Sequence, residues 1–213
     1  MCFNKETSFV SFLLGTSVGI KLLISHNKPF LGVSILTIAF MQLVEFFLWL
    51  FLNNKNVNLL FTFLAWLVLL LQYILMMYFA NEENTQSKPL SDTFYVFLGL
   101  LCLFHLYYGI VNRNPTIKNN KTCRLQWGFF NNTSNWYSLL VLLVYMYSFM
   151  ITKNYDLLLL YGISIVLSLL FCWYKGDTQF SFTSLWCFLV NLMSVWIILF
   201  RFPNEEIEDS LIK

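Results

Sequence analysis

Charge is scarce in this chain. Only 11% of its 213 residues are Asp, Glu, Lys or Arg, too little polar surface to keep a domain of this size in water. The formal balance of +2 is scattered between apolar runs, so a nucleic acid has no basic patch to bind and is not expected as a partner. Histidine occurs twice, at His26 and His105, which leaves the multi-histidine zinc sites of membrane hydrolases without a ligand set. The five cysteines, Cys2, Cys102, Cys123, Cys172 and Cys187, form no C-x-x-C pair. Embedded thiol oxidoreductases and a disulfide framework are both excluded, and Cys102 and Cys172 read as small apolar residues. All four prolines, Pro29, Pro89, Pro115 and Pro203, stand outside the apolar runs, unlike the interrupted helices of many ion-coupled transporters. No lysine lies between Phe180 and Phe200 to carry a retinal Schiff base, and no Thr-Val-Gly-Tyr-Gly filter is present. Neither a metal nor a cofactor is expected.

What is abundant is apolar. Hydrophobic residues make up 58% and aromatics 19%, with a mean hydropathy of +0.66. Seven runs, 8–25, 30–52, 57–80, 92–112, 136–152, 156–174 and 180–202, each approach or exceed the roughly 20 residues a membrane helix needs. Stretches such as Leu59 to Leu71 are apolar on every side, whereas barrel strands alternate. The expected fold is therefore all-α, a polytopic membrane protein built as a bundle of seven transmembrane helices. It forms one transmembrane domain over 1–213, its spans surrounded by the lipid bilayer, with an acidic tail at 203–213. The opening reads as an uncleaved first helix, because no small-residue cleavage site follows its apolar run. Seven spans place the termini on opposite faces. The longest loop, 113–135, carries Arg113, Lys118, Lys121 and Arg124, which points to a cytoplasmic N-terminus and loop.

Inside a bilayer, helices associate through small residues and interhelical hydrogen bonds. Ser11, Gly15 and Gly19 recur every four residues; Tyr161, Ser164, Ser168 and Cys172 share one face, as do Ser184, Cys187, Asn191 and Ser194. These rows either glue helices together or line a polar cavity. His105 reads as a hydrogen-bonded bundle histidine.

Glu45 is the outstanding position, the only acidic residue well inside a run. An ionised carboxylate there is costly, so it must be paired, hydrated or protonated. Gln42 and Trp49, three before and four after, share its face. Two readings stay open: a site for a cation, proton or polar headgroup, or a neutral clasp bonded to Asn191 or a serine.

Three segments carry a resemblance: Met1-Cys2-Phe3 with Ser8-Phe9, Gln42-Leu43-Val44-Glu45 with Trp49, and Ser184-Leu185-Trp186-Cys187-Phe188 with Ser194. Together they resemble a family of multi-pass membrane proteins of bacteria and large DNA viruses whose chains begin Met-Cys-Phe-Ser or Met-Cys-Trp-Ser. This chain departs at Asn4, where that pattern has Ser, and at Lys5-Glu6, where small residues are usual. The resemblance implies a multi-pass bundle, suits a viral or viral-host membrane, and brings no activity with it. It groups Cys2, Gln42, Glu45, Trp49, Trp186 and Cys187. With the last-helix row added, the expected ligand-binding set is Glu45, Gln42, Trp49, Cys187, Asn191, Ser184 and Cys2. The leading functional expectation is binding or transport of a small polar ligand, ion or lipid headgroup. A structural or assembly component without a ligand is the rival, followed by a thiol-dependent membrane enzyme using Cys2 or Cys187 as nucleophile.

Overall fold

The computed structural model describes residues 4–24, 28–83, 92–111, 114–119, 123–128, 143–144, 146–175 and 196. In chain order these form α1 (Lys5–Ile24), α2 (Pro29–Leu50), α3 (Lys55–Glu83), α4 (Asp92–Val111), a hairpin of β1 (Ile117–Asn119) and β2 (Arg124–Gln126), and α5 (Tyr155–Tyr174). Helical residues 146–151 lead into α5. Four helices, α1, α2, α3 and α5, are long and apolar enough to cross a membrane; the described apolar part of α4, Leu98–Val111, is shorter. The chain is thus mainly helical. The sequence run at 180–202 and the acidic tail at 203–213 lie outside the described residues, apart from Trp196, which packs against the core.

Helix ends fall where local chemistry puts them. Asn4 Oδ1 accepts the Thr7 N–H at 3.0 Å and caps α1, so the helix starts at Lys5, ahead of its apolar run. Pro29 opens α2, a position where its missing N–H costs nothing. Asn54 Oδ1 accepts the Val57 N–H at 3.3 Å at the head of α3. Before α5 the chain turns through Lys153, whose φ of 56° is left-handed.

The packing of α1 on α2 is governed by two glycines. A Cβ on Gly19 would lie 2.6 Å from Leu36 Cγ and 3.0 Å from the Gly32 carbonyl oxygen; one on Gly32 would lie 2.7 Å from Leu23 Cγ and 3.0 Å from the Gly19 oxygen. Only hydrogen fits at either place, so the two backbones touch. The small row of α1, Ser11, Gly15 and Gly19, is buried as the packing requires. Phe12–Phe40 and Phe9–Phe46 ring contacts, at centroid separations of 6.1 and 5.2 Å, continue the antiparallel pairing.

α3 runs antiparallel to α2. The Phe61 ring stacks on Phe47 and Phe51 at 4.8 and 5.9 Å at one end. At the other end Glu83 Oε1 accepts the Phe30 N–H at 2.7 Å. A carboxylate there satisfies one of the open first-turn donors of α2 and meets the positive end of its dipole. This contact explains why α3 continues past the apolar run, which ends at residue 80, to Glu83. Glu83→Ala should lower stability by about 1 kcal/mol, read as a modest fall in melting temperature of the detergent-solubilised protein; Glu83→Gln should recover part of it.

α4 is fastened to α3 by a reciprocal pair. Trp66 Nε1 donates to the His105 carbonyl at 2.8 Å, and His105 Nε2 lies 2.9 Å from the Trp66 carbonyl. A carbonyl only accepts, so Nε2 carries the proton. The two rings stack at 3.8 Å, and Tyr73 meets His105 edge-on at 5.5 Å. Gly109 leaves room for the indole, which a Cβ there would strike.

Candidate functional site

On α2, Gly32, Leu36 and Phe40 follow at four-residue spacing toward α1, and a second stripe, Leu31, Ile35, Ile38, Gln42 and Glu45, follows at spacings of four and three. All five residues of the second stripe are buried, and Trp49, one turn beyond Glu45, is partly buried against the same core. The stripe is apolar for its first three members and polar for its last two. Glu45 is 2% exposed and Gln42 1%. Gln42 Nε2 donates to Glu45 Oε2 at 3.3 Å, a bond that the three-residue helical spacing makes available.

The pair lies toward the C-terminal end of α2. The apolar run extends to Leu52, seven residues beyond Glu45, whereas α2 ends at Leu50, where Phe51–Asn53 turn toward α3. Glu45 therefore stands five residues, about 7 Å, from the end of its helix. The carboxyl is close to one end of the bundle rather than at its midpoint.

That end also carries a structure that the sequence did not lead one to expect. Segment 113–135 reads as a basic loop, yet within it β1 and β2 pair antiparallel, Lys118 opposite Leu125. The hairpin docks on the first turns of α3, at the α2–α3 turn. Asn58 Nδ2 donates to the Thr116 carbonyl at 3.0 Å, and Asn58 Oδ1 accepts the Thr116 N–H at 2.8 Å. One side-chain amide thus pairs with a backbone residue as a neighbouring strand would. Thr62 adds a hydroxyl contact of 2.7 Å with Thr116 Oγ1. Gly128 lies so close to Asn114 that a Cβ would strike the Asn114 carbonyl. Leu125, Trp127, Gln126 and Arg124 are buried. Of the basic residues used to orient the chain, Arg124 is inside the protein and Lys118 is exposed; Arg113 and Lys121 lie outside the described residues.

The structure brings Gln42 and Glu45 into contact and sets Trp49 one turn beyond them. Cys2, Ser184, Cys187 and Asn191 lie outside the described residues. The row on α5, Tyr161, Ser164, Ser168 and Cys172, is buried as a unit. Ser164 and Ser168 hydroxyls donate to the Tyr161 and Ser164 carbonyls at 2.7 Å each, a common way for hydroxyls to be satisfied in apolar surroundings. Among the described residues no three His, Cys, Asp or Glu side chains converge as metal ligands. No protein family, curated protein or solved structure matches the chain. The site must be argued from its own chemistry.

Sequence reasoning missed Asn58, Thr62 and Thr116. The signal was present: Asn58 and Thr62, four residues apart at the head of an apolar run, share one helix face.

Proposed function

We propose that this chain is an integral membrane protein of seven spans, and that Gln42 and Glu45 form the centre of an intramembrane site for a small polar ligand, ion or lipid headgroup. The observation that carries the reading is a carboxyl 2% exposed on a helix otherwise apolar enough to cross a bilayer, with a buried amide beside it. An acid in such surroundings is expensive to keep and is found where a cation, proton or headgroup is handled. Its place about 7 Å from the helix end sets the pair near the α2–α3 turn. Trp49 completes this part of the site; Cys2, Ser184, Cys187 and Asn191 are proposed as the part contributed by the chain's two ends. The resemblance to multi-pass proteins of bacteria and large DNA viruses agrees with this grouping, and a viral or viral-host membrane is its proposed location. The N-terminus and the 113–135 segment are proposed to face the cytoplasm.

The test is thermal stability in detergent, titrated with sodium, calcium and ethanolamine, the last standing for a headgroup amine. A ligand that binds the folded state alone raises the melting temperature with concentration. The wild-type chain should show such a rise with one of the three, and Glu45→Gln should abolish it while leaving the ligand-free melt nearly unchanged. The second reading, a structural clasp, is favoured by the Gln42 bond itself and by the neighbouring fasteners built from Asn58 and His105. It predicts that wild type and Glu45→Gln melt alike under every addition.

A further inference from the structure

Phe149, just ahead of α5, packs on Phe30 in the first turn of α2 at a centroid separation of 5.4 Å and on Tyr161 at 5.0 Å. α5 therefore sets out from the end of the bundle where α2 begins, and Lys175, about 30 Å further along the axis, closes it at the hairpin end. α1 and α3 start at that end, and α2 and α4 finish there. The two ends differ in charge. At the hairpin end Lys5, Lys55, Lys118 and Lys175 are exposed, against one exposed carboxylate among the described residues, Glu6, 3.9 Å from Lys5. Arg124 and Glu45, also toward this end, are buried. The opposite end sets Lys21, Lys28 and Lys153 against Glu82, Glu83, Asp92 and Asp156. Outside the described residues, Arg113, Lys121 and Asp177 adjoin the first group in sequence and Lys88 the second, which keeps the contrast. Among the described residues no charged side chain is exposed between the two ends.

We infer that the hairpin end of the bundle seats among anionic phospholipid headgroups, its four exposed lysines meeting phosphates, while the opposite end has no such preference. The placement of the lysines selects the partner. No two share an element: Lys5 opens α1, Lys55 opens α3, Lys118 lies in β1 and Lys175 ends α5. Single exposed lysines on separate elements suit a charged surface, which attracts each of them, rather than one enclosed anion. Lys55, Lys118 and Lys175 make no salt bridge with any described residue, so their charge is left for a partner. Aromatic neighbours set the level of the last one. Trp173 and Tyr174 are 80% and 79% exposed, and Lys175 Nζ lies 5.6 Å from the Tyr174 ring centroid and 6.0 Å from that of Phe171. Amphipathic rings collect where acyl chains give way to headgroups, so a lysine held over them stands at headgroup level.

The inference rests on the membrane reading above but not on Glu45. Its test is the full chain reconstituted in phosphatidylcholine, with spin-labelled phosphatidylglycerol or phosphatidylcholine reporting the lipid held at the protein surface. Wild type should hold phosphatidylglycerol about fivefold more strongly, the worth of one lysine at a charged surface. Salt at about 1 M should remove most of that preference, because screening then acts within about 3 Å. Lys5→Gln, Lys55→Gln, Lys118→Gln and Lys175→Gln combined should bring the two lipids level. Lys21→Gln, Lys28→Gln and Lys153→Gln combined should leave the preference intact. Equal association of the two lipids with wild type overturns the proposal, as does a loss in the second variant as large as in the first. If the fourfold variant does not fold, Lys55→Gln and Lys118→Gln are measured singly: a lower preference in either supports the charged end, and no change in both overturns it. Carbonate washing of membranes separates the two levels of argument. Release of the chain by carbonate sinks the membrane reading, whereas a retained chain indifferent to lipid charge sinks this inference alone.

Discussion

Gly19→Leu is expected to cost at least 1–3 kcal/mol, about what overpacking a tight contact costs, and to be the most damaging single substitution in the first two helices. The added side chain has no direction to take. Its Cβ meets Leu36 at 2.6 Å and, behind it, the Gly32 carbonyl oxygen at 3.0 Å. Leu36 can rotate but the opposing backbone cannot, so α1 must move away and the ring contacts between Phe9, Phe12, Phe40 and Phe46 loosen with it. Thermal unfolding in a mild detergent should show the loss, and Gly32→Leu should reproduce it. Gly99→Ala supplies the control. Nothing lies within 4 Å of its Cβ, so the variant should match wild type or exceed it by up to about 1 kcal/mol from helix propensity. Equal melting temperatures for Gly19→Leu and Gly99→Ala would mean that the α1–α2 contact contributes little.

Asn58→Leu should release the hairpin. Thr116 is 2% exposed, and the substitution removes the donor to its carbonyl and the nearer of the two acceptors of its N–H, leaving that N–H only Thr62 Oγ1 at 3.2 Å. The orphaned buried carbonyl costs about 1–3 kcal/mol, and the weakened N–H bond adds to it. Asn58→Asp keeps the acceptor and loses the donor, and should fall between. Hydrogen exchange at residues 114–119 and 123–128 is the direct readout: it should accelerate in Asn58→Leu while α1 and α2 stay protected. Uniform acceleration over the whole chain would show that the hairpin is no separate unit but part of the core.

These two contacts also show what the sequence made legible. The glycine contact was readable because its signal is local: Ser11, Gly15 and Gly19 recur at one spacing on one run, and small residues have one dominant use between apolar helices. That Gln42 and Glu45 share a face was readable for the same reason, being contained in a single turn; the bond between them was not, since the clasp was expected to reach Asn191 or a serine. Helix ends were displaced by side chains acting from outside the apolar pattern. Asn4 starts α1 early, and Glu83 extends α3 because its partner is Phe30, 53 residues away. The hairpin was hidden altogether. Its strands have three residues each, too few for a period-two pattern, and what holds it is an asparagine 58 residues upstream. The burial of Arg124 was hidden as well, because composition does not say which basic residues fold inward. The Trp66–His105 fastener is half legible: a buried histidine needs a hydrogen-bond partner, but nothing local nominates a tryptophan 39 positions away.

The meeting of Gly19 and Gly32 bears on how the protein is made. Ile24 and Pro29 are only a few residues apart, so α1 and α2 leave the ribosome in immediate succession, and their backbones need no third helix in order to close on each other. In the proposed membrane setting the two would leave the insertion machinery as a preformed pair, with Gln42 and Glu45 already directed away from α1. The acidic side chain would then have its Gln42 partner from the moment α2 forms, since that bond lies within a single turn.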